Sequence, residues 1–229
     1  MTSWTELPRA TFDLETTGVD PQTARIVTAS LVLVDPEGEV LRAGEWLADP
    51  GVEIPEQAAA VHGITTEYAR EHGQPAQKVA YEVAMALGGL FADGVPVIAF
   101  NASYDFSVLN QELARYGYPA LTCYPVLDPL VINKRVHKFK KGKRTLEVLA
   151  GEYGVDLENA HTSKDDALAA ERLLTAMSLE YPEIEQAATA LHELQVTWAA
   201  EQAAELQDYF NRIGKQAEVS GQWPVRTYA

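Results

Sequence analysis

Apolar and polar residues alternate early in the chain. In "ATFDLE" (10–15), Phe12 and Leu14 fall on one face of an extended segment while Asp13 and Glu15 share the other, because successive strand side chains point to opposite sides. The segments "RIVTASLVLVD" and "EVLRAGEWLA" read as two further strands, and the "DPEG" turn between them predicts a hairpin. Helical spacing follows at 55–61 and 75–91, then the short apolar strand "VPVIAF" (95–100). A helix over 103–117, a strand "TCYPVLD" (122–128) and helices near 145–153 and 162–181 complete the pattern. An antiparallel hairpin followed by βα units predicts an α/β domain, a mixed sheet with helices on its faces.

Beyond Pro182 the period changes. Ile184, Leu191, Leu194, Trp198, Leu206, Phe210 and Ile213 recur at helical spacing and predict one long amphipathic helix over 183–213, opened by the proline. Its stripe either packs back on the domain, the favoured expectation, or meets a second copy of the chain as a homodimer. The expected division is residues 1–181 for the main domain and 182–229 for the C-terminal helix and tail.

With 229 residues, 47% of them hydrophobic, the chain can bury a sizeable core. Its longest apolar runs are too short to cross a membrane, and "MTSWTELPRA" carries no secretory pattern. A single cysteine, Cys123, suits a reducing compartment. The expectation is a cytoplasmic protein with no membrane partner. Charge narrows the picture further: 18 basic against 33 acidic residues leave a net of −15, which excludes a general polyanion-coating protein. Yet "KRVHKFKKGKR" (134–144) holds seven Lys or Arg in eleven residues. It is either a solvated loop or a local patch for a polyanion.

The acids concentrate in four places. Asp13 and Glu15 are either the polar face of a half-exposed strand or one wall of a metal site. Asp105, in "AFNASYDFSVL", falls in the first turn of a helix at the C-terminal end of a strand, where open α/β sheets place their sites. A favourable helix-dipole contact would also explain it. In "AHTSKDDALAAERLL", Thr162 or Ser163 can cap a helix, and one of the following acids completes a capping box. Asp166 lines up with Leu173 and Met177 beside Ala170 and Leu174, so it faces inward, whereas Asp165 shares the outer side with Arg172. Four inward carboxylates repel one another and lose hydration unless a cation compensates. All-oxygen ligands favour Mg2+ or Mn2+ over zinc.

"FDLETTG", "AFNASYDF" and "HTSKDDA", in that order and spacing, resemble the three motifs of the DEDDh 3′–5′ exonucleases, the family of the proofreading epsilon subunits of bacterial DNA polymerase III. "VHGIT" (61–65) and "GKRTLEVLA" (142–150) are also similar to segments of epsilon-like members, and the likeness spans roughly residues 9–178. The resemblance implies a ribonuclease-H-like fold with a five-stranded mixed sheet flanked by helices. It implies two divalent ions, Mg2+ or Mn2+, held by Asp13, Glu15, Asp105 and Asp166, with Asp13 bridging them and His161 as general base. It also implies that the backbone around Thr16 and Thr17 meets the terminal 3′-hydroxyl. His62 and Asn101 are candidate nucleotide contacts, and each reads equally as a turn or capping residue. Lys140, Lys141 and Lys143 of the basic stretch are the candidate strand contacts. Phe100 departs from the family, many members of which have histidine there. The expected activity is 3′–5′ exonuclease on nucleic acid with a free 3′ end, DNA with single strands preferred, releasing nucleoside 5′-monophosphates. The expected partner beyond the strand is a replication or repair polymerase. An oligoribonuclease-like exoribonuclease and a non-catalytic binding module of the same fold are the alternatives.

Overall fold

The computed structural model describes residues 2–157 and 162–228. Its sheet has the order β4-β3-β2-β1-β5-β6. The three long strands are β1 (Arg9–Thr16), β2 (Ile26–Val34) and β3 (Val40–Asp49). They form the expected antiparallel meander: β1 pairs with β2 and β2 with β3. Strands β5 (Val97–Ile98) and β6 (Val126–Leu127) then add in parallel on the other side of β1. The sixth strand, β4 (Gln74–Pro75), is a two-residue edge beside β3 that the apolar pattern is too short to reveal.

Helices α3 (Ala76–Ala92) and α4 (Ala102–Arg115) cover one face of the sheet. There Phe12, Leu14, Val83, Leu87, Phe106 and Leu109 form the larger core. On the opposite face, α7 (Ser163–Glu180) supplies Ala170, Leu173, Leu174 and Met177, all essentially buried, to a second core with Ile98, Leu127 and Leu149. The inward stripe expected of this helix is therefore present. A buried ion pair between Arg9 of β1 and Glu171 of α7, at 2.5 Å, ties helix to strand across 162 residues of sequence.

Three elements depart from the sequence pattern. The "VHGIT" segment separates two short helices, α1 (Glu56–His62) and α2 (Thr66–His72), because Gly63 adopts φ 76° and caps the first in the left-handed region. Residues 129–136 form a helix, α5 (Pro129–Val136), capped by Asp128, so the basic stretch begins on a helix rather than in a loop. Between α5 and α7 lies α6 (Leu146–Glu152), near its expected place. The long C-terminal helix, α8 (Ala188–Arg212), starts five residues later than the expected 183: Pro182 instead opens a 3-10 turn over Pro182–Ile184, and Gln186 O accepts from the Trp4 backbone N–H.

The first half of the α8 stripe packs back on the domain. Leu191, His192 and Gln195 are buried, and the latter two bond the backbone of β6 and the residue after it: His192 Nδ1 accepts from Val126 N at 3.0 Å, and Gln195 Oε1 accepts from Asp128 N at 2.6 Å. Leu206 and Ile213, further along, are exposed. No helix among the described residues is long and apolar enough to cross a membrane.

Candidate active site

The site lies where β1 outruns its parallel neighbour. β5 pairs with β1 only through Ala10 and Thr11, so Asp13 and Glu15 project past its end. Strand alternation puts Phe12 and Leu14 in the core and leaves both acids half-buried on the α7 side. Opposite them on β2 stand Ser30, across from Asp13, and Thr28, across from Glu15. Both hydroxyls bond Ser163 Oγ, at 2.7 and 3.2 Å, which pins the first turn of α7 to the sheet. Asp166, one helical turn on, is thereby brought to the two acids. Carboxylate oxygens of Asp13, Glu15 and Asp166 all lie within 4.8 Å of one another.

Asp105 arrives from the other side of the sheet. It sits in the first turn of α4, buried, and its Oδ1 accepts from the Leu14 backbone N–H at 3.2 Å, between the two strand acids. The turn that delivers it is held by Asp128. One oxygen of that buried carboxylate accepts from the backbone N–H of Asn101 at 3.0 Å and of Leu130 at 2.9 Å; the other accepts from Ala102 N at 2.9 Å. Asn101 itself adopts φ 59°, a left-handed conformation that asparagine tolerates better than most residues. Sequence reasoning passed over Asp128, although an Asp before Pro129 is a recognisable helix start.

Electrostatics follow from this crowding. Burial, then Asp105, Glu15 and Asp166, hold the Asp13 carboxyl well above its ordinary value. Burial and Asp166 push Glu15 up to about 7. Burial also raises Asp105, against the backbone N–H groups that favour its charged form. An arrangement that resists its own charge at neutral pH fits a hard divalent cation, which removes the repulsion using oxygen ligands alone. At the helix start, Asp165 takes the capping role: Thr162 Oγ1 accepts from Asp165 N and donates to its Oδ2 at 2.8 Å. His161 lies outside the described residues.

Two clefts meet at these acids. One, of about 410 Å³, is lined by Asp13, Asp105, Asp166, Asn101, Phe100 and Arg144. The other, of about 700 Å³, runs along Glu15, Thr16, Thr17, Val19, Val61 and His62 and shares Asn101 and Tyr104 with the first. Tyr104 shapes their boundary. Its hydroxyl bonds Thr16 Oγ1 and donates to Gly18 O, and burial pushes the phenol up to about 12. Burial lowers the His62 pKa, and its Nδ1 accepts from Ile64 N at 3.2 Å.

Of the basic stretch, Arg144 reaches the first cleft. Its guanidinium donates to Asn133 Oδ1 and to the carbonyls of His137, Lys138 and Lys140, gathering the loop around itself. Lys140 pairs with Glu152 at 2.8 Å and its side chain is 5% exposed, whereas Lys141 and Lys143 are exposed.

A family model described as Exonuclease matches residues 11–174. The chain belongs to this family, the DEDD 3′–5′ exonucleases. This exonuclease is 28% identical over 169 residues to a DNA polymerase III PolC-type of Lacticaseibacillus paracasei, covering 74% of the chain and 11% of the relative. Identity to the Clostridium perfringens counterpart is also 28%, over 163 residues, covering 71% of the chain and 11% of the relative. The chain thus spans about a tenth of the length of the curated relatives it matches. Among solved structures, E. coli exonuclease I in complex with a dA16 oligonucleotide is similar with a TM-score of 0.67 and 18% identity, over 78% of this exonuclease and 42% of that chain. This likeness confirms the expected sheet-and-helix fold. Helix α8 lies outside the family match.

Proposed function

We propose that this exonuclease removes nucleotides from the 3′ end of single-stranded DNA, releasing nucleoside 5′-monophosphates. The observation that carries the reading is the convergence of Asp13, Glu15 and Asp166 within 4.8 Å, with Asp105 bound behind them, at the mouth of a cleft of about 700 Å³. DNA is favoured because E. coli exonuclease I is bound to a dA16 oligonucleotide and because the relatives are DNA polymerases. Association with a DNA polymerase belongs to the same reading.

In this mechanism the terminal nucleotide enters the larger cleft, its base against the apolar wall of Val19 and Val61. Thr16, Thr17, His62 and Asn101 supply polar groups for its sugar and phosphate. Asp13, Glu15, Asp105 and Asp166 would hold two Mg2+ or Mn2+ ions, which when bound stabilise negative charge on the attacking and leaving oxygens. His161, five residues before Asp166, takes a proton from the attacking water, a task suited to a group whose ordinary pKa is about 6.5. Water oxygen bonds to phosphorus, the bond from phosphorus to O3′ of the penultimate nucleotide breaks, and that oxygen takes a proton from solvent water as it leaves.

The reading is tested with 5′-labelled single-stranded DNA, duplex DNA and RNA, each incubated with Mg2+ or Mn2+ and resolved as ladders. Stepwise shortening, fastest on single-stranded DNA, is the expected result. Faster shortening of RNA would assign an exoribonuclease. Binding of all three without cleavage would assign a non-catalytic module.

A further inference from the structure

Three cations of the basic stretch are already paired with acids of the protein. Arg135 pairs with Glu201 at 3.5 Å, Lys138 with Glu205 at 2.6 Å and Lys140 with Glu152 at 2.8 Å. Three others, Lys134, Arg144 and Arg226, have no carboxylate oxygen within 4.0 Å among the described residues, although the chain carries 33 acids. They come from three separate parts of the fold. Lys134 lies on α5 one turn beyond Leu130, and Leu130 and Arg144 both line the carboxylate cleft. Arg226 comes from the C-terminal tail, some fifty residues past the family match.

The tail is held in place rather than left loose. Trp223 is buried against His192, and its indole donates to Asp128 Oδ2 at 3.3 Å. Arg226 N donates to Ser107 Oγ at 2.8 Å, and its guanidinium donates to Ser103 Oγ at 3.0 Å, two residues before Asp105. The Arg226 Nε–H is buried with no hydrogen-bond partner among the described residues. The three cations also sense one another: desolvation lowers the Lys134 pKa, Asp128 opposes this, and Arg144 and Arg226 lower it further. Cations brought together without a carboxylate partner attract an anion, as the adjacent carboxylates attract a cation.

We propose that Lys134, Arg144 and Arg226 form a binding site for a backbone phosphate of the substrate strand at the rim of the carboxylate cleft. The inference rests on the exonuclease reading and extends it, making the C-terminal tail part of the strand-binding surface. A free phosphate would satisfy the same groups, so the test must locate the phosphate within a strand.

Single-turnover cleavage of 5′-labelled oligodeoxynucleotides by the full chain provides it, read as the enzyme concentration giving half the maximal rate. Neutral methylphosphonates are placed one at a time at linkages upstream of the scissile bond. Wild type should lose about tenfold at one linkage, the size of one charge-assisted contact. Arg226→Gln should lose about tenfold on the unmodified strand, show no further loss at that linkage and flatten the salt dependence by about one phosphate. Arg226→Lys should recover part of the loss. Should Arg226→Gln fail to fold, as its melting curve would show, Lys134→Gln enters the same cycle with the same expectation. Equal penalties at every linkage in wild type and variant would overturn the site, as would a variant within twofold of wild type on unmodified strand. If wild type cleaves no oligonucleotide, the exonuclease reading fails first, an outcome distinct from an active enzyme with no coupling.

Discussion

The carboxylate cleft and the basic loop beside it concentrate opposite charges, and the protein treats them in opposite ways. In the loop, Lys138 and Lys140 are paired with acids of α8 and α6, and Arg144 is surrounded by carbonyl oxygens. The charge of those two lysines is internal architecture, whereas Arg144 meets no carboxylate oxygen within 4.0 Å among the described residues. In the cleft, no cation within salt-bridge distance offsets Asp13, Glu15 or Asp105 among the described residues, and burial with repulsion from neighbouring acids raises their pKa values. A density of like charge in the sequence therefore says little about availability; what matters is whether the fold itself supplies the counter-charge.

The sharpest way to break the comparison is to exchange neighbours in sequence. Asp166→Ala removes a member of the acid cluster and should lower single-turnover cleavage by several orders of magnitude, the loss expected when one member of a concerted catalytic set is deleted. Asp165→Ala removes only a capping partner of Thr162. It should cost about 0.5–2 kcal/mol of stability with cleavage largely kept. Equal cleavage by both variants, under saturating Mg2+, would remove Asp166 from the site.

A second effect should be visible without any substrate. Glu15 rises from its ordinary 4.5 to about 7, and Asp13 moves the same way. Between those pH values the metal-free native protein holds more protons than the unfolded chain, so its stability must fall as pH rises through this window. Melting temperatures in EDTA should decline from pH 4.5 to 7.5, and Mg2+ should reverse the decline. A flat profile in EDTA would mean that the acids do not strain one another.

The smallest expected effects sort the lysines. Lys140→Gln breaks the Glu152 pair and should cost up to about 1 kcal/mol in a denaturant titration. Lys141→Gln with Lys143→Gln should leave stability within about 0.5 kcal/mol. The pair should also reduce the salt dependence of strand binding by about one phosphate per lysine. The opposite pattern would exchange their roles.

Much of this organisation was legible in the sequence because it is periodic. Alternation in β1 announced which face Asp13 and Glu15 share, and helical phase in α7 separated Asp166 from Asp165 three turns before Met177. The features that escaped depend on contacts between distant residues. Helix α5 is short and ends in charge, so it reads as loop. The role of Asp128 depends on backbone groups 26 and 27 residues away, and on Trp223, 95 residues away. The tail has no period at all; Arg226 acquires meaning only from Ser103 and Ser107 on α4.

The central claim is that the destabilised carboxylates are a metal site, and direct Mn2+ titration followed by electron paramagnetic resonance tests it without relying on turnover. Wild type should bind two Mn2+ per chain, and Asp13→Asn should lose both the binding and the accompanying rise in melting temperature while remaining folded, at least as stable in EDTA as wild type. Equal Mn2+ binding by wild type and Asp13→Asn, or none by wild type, would contradict the account.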